Sequence, residues 1–430
     1  MAPKADGDEF HPGRLSRPED TSHDARLRVS PRRLSPSARR LIACRAARSV
    51  GQGALVVDFA LYLHALGWSA FQIGLLYTAS LLSGAVLTLL SGPLSDRLGR
   101  KPFLIGYSVV QGLAALAALL SARPEWLVPA AIAGTFGRGA NGAAGPFGPV
   151  EQAWLSADLT ASDFGWVYSL NAAVGFFGMA AGAGLAGLPA LWRHWLPGAL
   201  AYRPLFLLSL AGALIPLVLL LGLGDRRGPL PARFGPAKQP KPLDPRRERG
   251  LLLRLVGINT LNGLAVGVIG PFMALWFQMR FGQGPATIAP VMAVGFVLGA
   301  FSALGTGWLT RRFGTVRSVV AMRLAGLVLL FLLPFAPTYP LAAVCYALRG
   351  ACNRGTAGAR QAVGLALVRP SRRGLAASLN SGSMQIPRSL GPLIGGALLD
   401  ADHLVLPFLF AAGLQAAYLA LYQLAFGNVA

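Results

Sequence analysis

Charge is scarce in this sequence. Of its 430 residues, 13% are Asp, Glu, Lys or Arg, against about a quarter in an average soluble protein. Acids are the scarcest: there are 17, and none lies between Leu251 and Leu399. Cysteine is nearly absent as well. Cys44, Cys345 and Cys352 make no CxxC pair, so neither a disulfide framework nor a zinc site can be read. No Walker sequence GxxxxGK[ST] occurs, which leaves ATP-driven pumping without support. HxxxxD, HExxH, GxSxG and clustered histidines are missing too, and catalysis needs such a nucleophile, base or metal set. The expectation is a non-enzyme with no cofactor. The first forty residues are polar and lack the short apolar run and small-residue cleavage site of a secretory signal. Residues 1–40 therefore read as a disordered, basic cytosolic tail.

What the chain has instead is apolar sequence, 54% of the total, in blocks of the length that a hydrocarbon layer about 30 Å thick requires. Twelve segments can be laid out, at about 42–66, 70–91, 102–122, 126–150, 164–188, 203–224, 251–279, 286–309, 315–337, 339–362, 374–399 and 404–425. Six lie on each side of "DRRGPLPARFGPAKQPKPLDPRRERG", residues 225–250, whose prolines and charges deny it a core of its own. The reading is an all-α polytopic membrane protein: an N-terminal six-helix bundle over 41–224, a linker over 225–250, and a C-terminal six-helix bundle over 251–430. The 53 glycines and 31 prolines fit tight helix packing in a membrane. The net charge of +22 sits at the ends of the apolar blocks, which argues for topology rather than nucleic-acid binding. Basic loops stay cytoplasmic. The tail, the 92–101 loop, the linker, the loop at Arg311 and Arg312, and the stretch from Arg369 to Arg373 are all basic. Both termini are expected to face the cytosol, in a plasma or inner membrane.

The two halves are related. "GPLSDRLG" from Gly92 pairs with "GWLTRRFG" from Gly307, "RGANG" from Arg138 with "RGACN" from Arg349, and "SLN" at 169–171 with "SLN" at 378–380. The offsets are 215, 211 and 209, close to one constant. That is the mark of a parallel repeat of two six-helix units.

"GPLSDRLGRK" resembles the loop signature of the major facilitator superfamily through Gly92, Leu94, Asp96, Arg97, Gly99, Arg100 and Lys101. The resemblance extends over nearly all of the chain after residue 40 and implies the major facilitator fold, twelve helices in two pseudo-symmetric bundles. In that family the aspartate acts as a gate latch between halves. The second copy has Arg311 in the aspartate's place, which implies a retained turn and a lost latch. Physically, Gly92 permits close helix contact, Gly99 can take positive φ, and Arg100 and Lys101 anchor the loop at the membrane surface. Arg138 and Gly142 resemble the RxxxG element of the fourth helix, where the arginine is tied to proton movement. The glycines of "GFFGMAAGAGLAGL", from Gly175 to Gly187, partly resemble the family's antiporter glycine face. The fuller match, "GPLIGG" from Gly391, lies on the eleventh segment, and close packing explains either run equally well.

An ionisable group held at bilayer depth marks a pathway, a relay or a pair. Only Asp58 and Glu151 qualify among the acids, and with Arg138 they are the proton-coupling candidates. Asp58 lies past the midpoint of the first segment. Glu151 reads equally well as an interfacial charge at the end of the fourth. On the tenth segment Arg349, Asn353, Thr356 and Arg360 recur at steps of four, three and four, so they share one helix face. The family resemblance makes the first, fourth, seventh and tenth helices line a central cavity. That adds Arg138, Asn141, Asn259, Asn262, Arg349, Asn353, Arg354 and Arg388 as substrate-cavity candidates. Arg323 on the ninth segment reads as a snorkelling end residue. The expected function is proton-coupled efflux of a small molecule, as drug or metabolite antiport by alternating access. An arginine-rich cavity would favour an anionic substrate. The expected partners are that substrate, protons and the lipid bilayer, with the protein acting as a monomer. Anion uptake or exchange on the same fold is one alternative; a lipid-handling protein or a non-transporting receptor is another.

Overall fold

The computed structural model describes residues 34–137, 145–157, 164–224, 245–360 and 373–426. Twelve helical spans can be traced through the described residues. They are α1 (Pro36–Ala65), α2 (Ala70–Leu98), α3 (Arg100–Leu120), α4 (two pieces, Pro124–Gly134 and Phe147–Ala157), α5 (Phe164–Leu185) and α6 (Phe206–Leu221). The second set is α7 (Pro245–Ile269, continued through a 3-10 turn into Met273–Phe281), α8 (Pro285–Phe313), α9 (Thr315–Leu332), α10 (Tyr339–Gly355), α11 (Arg373–Asp400) and α12 (Leu406–Phe426). The start of α1, the end of α12 and both sides of the linker lie at one face of the bundle, called here the linker face. The opposite end is the far face.

Two expected boundaries move. α1 begins at Pro36, so it takes in the last residues of the expected 1–40 tail; residues 1–33 lie outside the described set. α7 begins at Pro245, the N-terminal position where proline's missing N–H is harmless, so the expected linker loses its last residues to a helix. Residues 225–244 lie outside the described set.

Local sequence explains the junctions. Ser69 caps α2 in a Ser-x-x-Gln capping box: the Gln72 N–H donates to Ser69 Oγ (3.3 Å) and the Ser69 N–H donates to Gln72 Oε1 (3.0 Å). Gly99 closes α2 and opens α3 at φ 95°, and Gly314 does the same between α8 and α9 at φ 83°. Both positions need a residue without Cβ. The repeated hairpin thus keeps its turn in both copies.

Helix packing repeats with the sequence. α1 lies against α5 and α6, and α7 lies against α11 and α12. α3 contacts α4 and α6, as α9 contacts α10 and α12. The halves meet along two equivalent seams, α2 on α11 and α5 on α8. Glycine makes these approaches possible. A Cβ on Gly178 or Gly182 of α5 would strike the α1 backbone at Ala46 and Val50, and one on Gly391 or Gly395 of α11 would strike α7 at Gly267 and Val268. On the α2–α11 seam, Gly74 faces Pro392 and Gly396. The glycine runs are therefore packing faces within each half and across the seam.

Near the far face the two halves share one apolar core. It passes from Phe59, Tyr62 and Tyr77 directly into Phe272, Trp276 and Phe277. Tyr77 and Phe272 meet edge to face across the halves at 5.8 Å. Among the described residues a further core cluster, Leu255, Ile258, Val316, Val319, Tyr418, Leu419 and Tyr422, lies toward the linker face within the C-terminal half.

Gly182→Val should force α5 off α1 and lower stability by at least about 2 kcal/mol, as overpacking does. Gly184→Val, where no atom stands within 4 Å of the added Cβ, should leave the unfolding temperature in detergent unchanged. Thermal unfolding of the two variants checks this.

Candidate functional site

Eight of the spans are long and apolar enough to cross a membrane by composition, among the described residues. The other four are α1, α4, α10 and α11. They hold most of the buried charge: Arg45, Arg48 and Asp58 on α1, Glu151 on α4, Arg349 and Arg354 on α10, and Arg388 on α11.

In the N-terminal half Arg48 forms a buried ion pair with Glu151. Its guanidinium also stacks over Phe147, 4.0 Å from the ring centroid. Glu151 was expected as readily at an interface; it is only 4% exposed and sits inside the second piece of α4. Arg45, one turn earlier on α1, lies against Gly175 of α5. Next to Arg48 is a cavity of about 20 Å³, lined also by Gln52, Gln111 and Thr135. That is room for one water. Nearly three turns beyond Arg48 toward the far face, Asp58 is 2% exposed and neither carboxyl oxygen has a hydrogen-bond partner among the described residues. Phe59 beside it packs on Tyr77, Phe136 and Phe206.

The fourth segment, expected as one uninterrupted stretch over 126–150, is broken. Its first piece ends at Gly134, and Thr135 takes a left-handed φ of 52°. A break inside hydrocarbon frees backbone groups that neighbours must satisfy. Ser80 of α2 donates to Ala131 O (2.9 Å) and accepts from the Gly137 N–H (3.4 Å), while Gln111 of α3 donates to Gly134 O (3.3 Å). Tyr107 and Thr135 share a further hydrogen bond at 3.2 Å. Three polar side chains on α2 and α3 thus hold the interruption open. Arg138, Asn141 and Gly142 follow it and lie outside the described residues.

In the C-terminal half the organising residue is Arg323, which was expected to snorkel. It is 4% exposed and donates to Asn353 Oδ1 of α10 (3.0 Å) and Asn262 Oδ1 of α7 (2.9 Å), with the Tyr418 ring of α12 beneath it at 5.2 Å. One guanidinium joins four helices. Sequence reasoning missed it because a lone arginine on an apolar segment has no visible partner; Asn262 and Asn353 were the signal. Asn262 also donates to Met384 Sδ (3.8 Å), and Asn259 donates to Ser383 Oγ (3.3 Å), both on α11. Arg354, expected in the cavity, turns instead to α8, where it donates to Gly295 O and covers the Phe296 ring. Arg388 is buried on α11, whose backbone meets Gly267 of α7 at that level.

Of the gate motif, Lys101 donates to Leu221 O (2.9 Å) and Leu223 O (2.6 Å), capping the C-terminal end of α6. Arg100 is buried, whereas Asp96 and Arg97 are exposed at the linker face. Asp96 has no hydrogen bond or ion pair among the described residues.

The family model described as Major Facilitator Superfamily matches residues 41–328 and again 255–428. The chain belongs to the major facilitator superfamily. Its members carry small molecules across membranes as secondary transporters, and so does this chain; it is not an enzyme. It is 22% identical over 385 residues to YJR124C, a membrane protein of Saccharomyces cerevisiae, with 82% of this chain and 86% of that one covered. Among solved structures it is similar to the nucleoside transporter NupG, with a TM-score of 0.68, 14% identity, and 91% and 99% of the two chains covered. For a D-xylose–proton symporter the score is 0.69 at 14% identity, over 89% and 96%. For the human organic anion transporter MFSD10 it is 0.60 at 16% identity, over 90% and 99%. These likenesses show the major facilitator fold.

Removing one member of the Arg48–Glu151 pair leaves a buried charge alone and should cost about 3–5 kcal/mol. Glu151→Gln is expected to lower the unfolding temperature sharply, and adding Arg48→Met to it should recover most of the loss. A double-mutant cycle on purified protein measures the coupling.

Proposed function

We propose that this transporter couples substrate movement to protons through Asp58, in export by exchange, with the linker face toward the cytosol. The observation that carries the reading is Asp58 itself: a carboxyl 2% exposed, inside an aromatic core, with no hydrogen-bond partner among the described residues. Burial without a partner favours the neutral form of a carboxyl. Opening of the far face would hydrate the group, and closure would force it to hold a proton or recruit a cation. In export by exchange, a proton loaded from the far face leaves toward the linker face as substrate enters from there.

The shape of the core supports the same cycle. The halves are sealed together near the far face by Tyr77, Phe272 and their neighbours, while the cluster toward the linker face stays within one half. Rocking about the α2–α11 and α5–α8 seams would exchange one closure for the other. Arg48 and Glu151 hold α1 to α4 through that motion, so protonation of Glu151 would loosen the N-terminal half. Asp96, exposed at the linker face with no hydrogen bond or ion pair among the described residues, would serve as the latch on the opposite closure. A drug or metabolite as cargo fits the exporter resemblance of the sequence, and proton coupling is at home on this fold, since the xylose transporter is described as a proton symporter.

Proteoliposomes loaded with a pH-sensitive dye test the reading. Compounds are screened first by the rise in unfolding temperature that binding produces, then added to vesicles holding an imposed pH gradient. The wild type should move protons with a bound compound. Asp58→Asn should still bind it but lose at least about tenfold in proton flux. Undiminished flux in that variant would remove Asp58 from the coupling step.

A further inference from the structure

One side chain touches the opposite half and the interruption of α4 at once. Tyr77 of α2 is 2% exposed, and its ring centroid lies 5.8 Å from that of Phe59 on α1 and 5.8 Å from that of Phe272 across the halves. On another side the ring occupies the place that a Cβ on Gly137 would take. Such an atom would stand no farther than 3.1 Å from the ring's Cγ, Cδ1 and Cε1, closer than packed carbon atoms come. Gly137 is itself held in position. Its N–H donates to the Ser80 hydroxyl (3.4 Å), which in turn donates to Ala131 O (2.9 Å). Ser80 follows Tyr77 by three residues, so both lie on one side of α2.

The backbone does not require glycine here. The φ of Gly137 is not positive, unlike those of Gly99 and Gly314, so the chain itself would accept a Cβ. What excludes one is the Tyr77 ring. That ring is confined by Phe59, Phe272 and Gly137, and a close-packed core leaves it no slack. A methyl group at 137 therefore overpacks the closed arrangement. Once the halves part at the far face, Phe272 withdraws and the ring is free to turn, so the same methyl is accommodated.

We propose that the interruption of α4 is the seat of the far-face closure: Gly137, fixed by Ser80, leaves the space in which the Tyr77 ring must lie to meet Phe272. Gly137 and Ser80 are positioning residues for transport, and they act through Tyr77. The inference rests on the reading that the halves alternate between two closures, and it names residues that set the balance between them. It also carries the state of the closure into the N-terminal half, because withdrawal of Phe272 releases a ring packed on Phe59, the neighbour of Asp58.

Spin labels at His64 and Arg280, exposed at the far-face ends of α1 and α7, read the closure in the full-length protein by double electron–electron resonance in nanodiscs. Gly137→Ala should raise the ratio of the longer to the shorter distance at least about tenfold. Ser80→Ala should move the ratio the same way. Gly84→Ala, whose Cβ would meet Thr135 Cγ2 at an ordinary 3.4 Å, should leave it unchanged, as should Tyr77→Phe, which keeps the ring. In a Tyr77→Ala background the collision is gone, so Gly137→Ala should fold there even should it fail alone, and should add no shift of its own. An unchanged ratio in Gly137→Ala would overturn the seat, as would a further shift on adding it to Tyr77→Ala. A single short distance in every variant would overturn both the seat and the two closures; two distances whose ratio ignores Gly137→Ala would overturn the seat alone. Proton coupling through Asp58 is decided by flux in vesicles, on which this ratio does not depend.

Discussion

Where Gly74 of α2 meets Pro392 and Gly396 of α11, backbone lies on backbone with no side chain between. Water's hydrophobic push is missing between helices in lipid, so such contact must come from close packing, and only small residues allow it. The same device fastens α1 to α5 and α7 to α11. Each half is packed in the same way, and the two meet along the α2–α11 and α5–α8 seams and through one shared apolar core. The transport cycle proposed above depends on that division, because halves that pack as separate bodies can exchange one closed end for another without unfolding a helix.

Polar groups inside this frame fall into two kinds. Some repair the frame: Ser80, Tyr107 and Gln111 satisfy the interruption in α4, Lys101 caps α6, and Arg323 ties four helices of the C-terminal half. Others are left unmatched: Asp58 in the aromatic core of one half, Arg349 and Arg360 in the other. A buried group with every bond made stabilises; one with none is a standing cost that a proton or an ion can relieve. The absence of any Asp or Glu from Leu251 to Leu399 makes the repeat chemically asymmetric, a difference foreshadowed by Arg311 standing where Asp96 stands in the first copy.

The frame was readable from the chain because it rests on local features. Apolar block length marks spans, the Gly99 and Gly314 turns demand positive φ, and the constant offset between "GPLSDRLG" and "GWLTRRFG" discloses the repeat. What escaped was long-range. Glu151 lies 103 residues from Arg48, and Arg323 lies 30 and 61 residues from its two asparagines, so nothing local pairs them. The break in α4 was hidden for another reason. It falls on Thr135, a β-branched residue in a left-handed conformation that local preference disfavours; bonds from α2 and α3 help to keep it there. Arg354 shows the limit of helical periodicity, since a helix face alone does not say which neighbour claims a long side chain.

The central claim is that the closure near the far face is one of two states, reached by rigid movement of the halves. Spin labels at His64 and Arg280, exposed residues at the far-face ends of α1 and α7, report it directly by double electron–electron resonance in nanodiscs. With an Asp58→Asn background mimicking the protonated carboxyl, and again across a pH series in the wild type, a second, longer distance should appear and exchange population with the first. A single unchanged distance at every pH and in the variant would contradict the account.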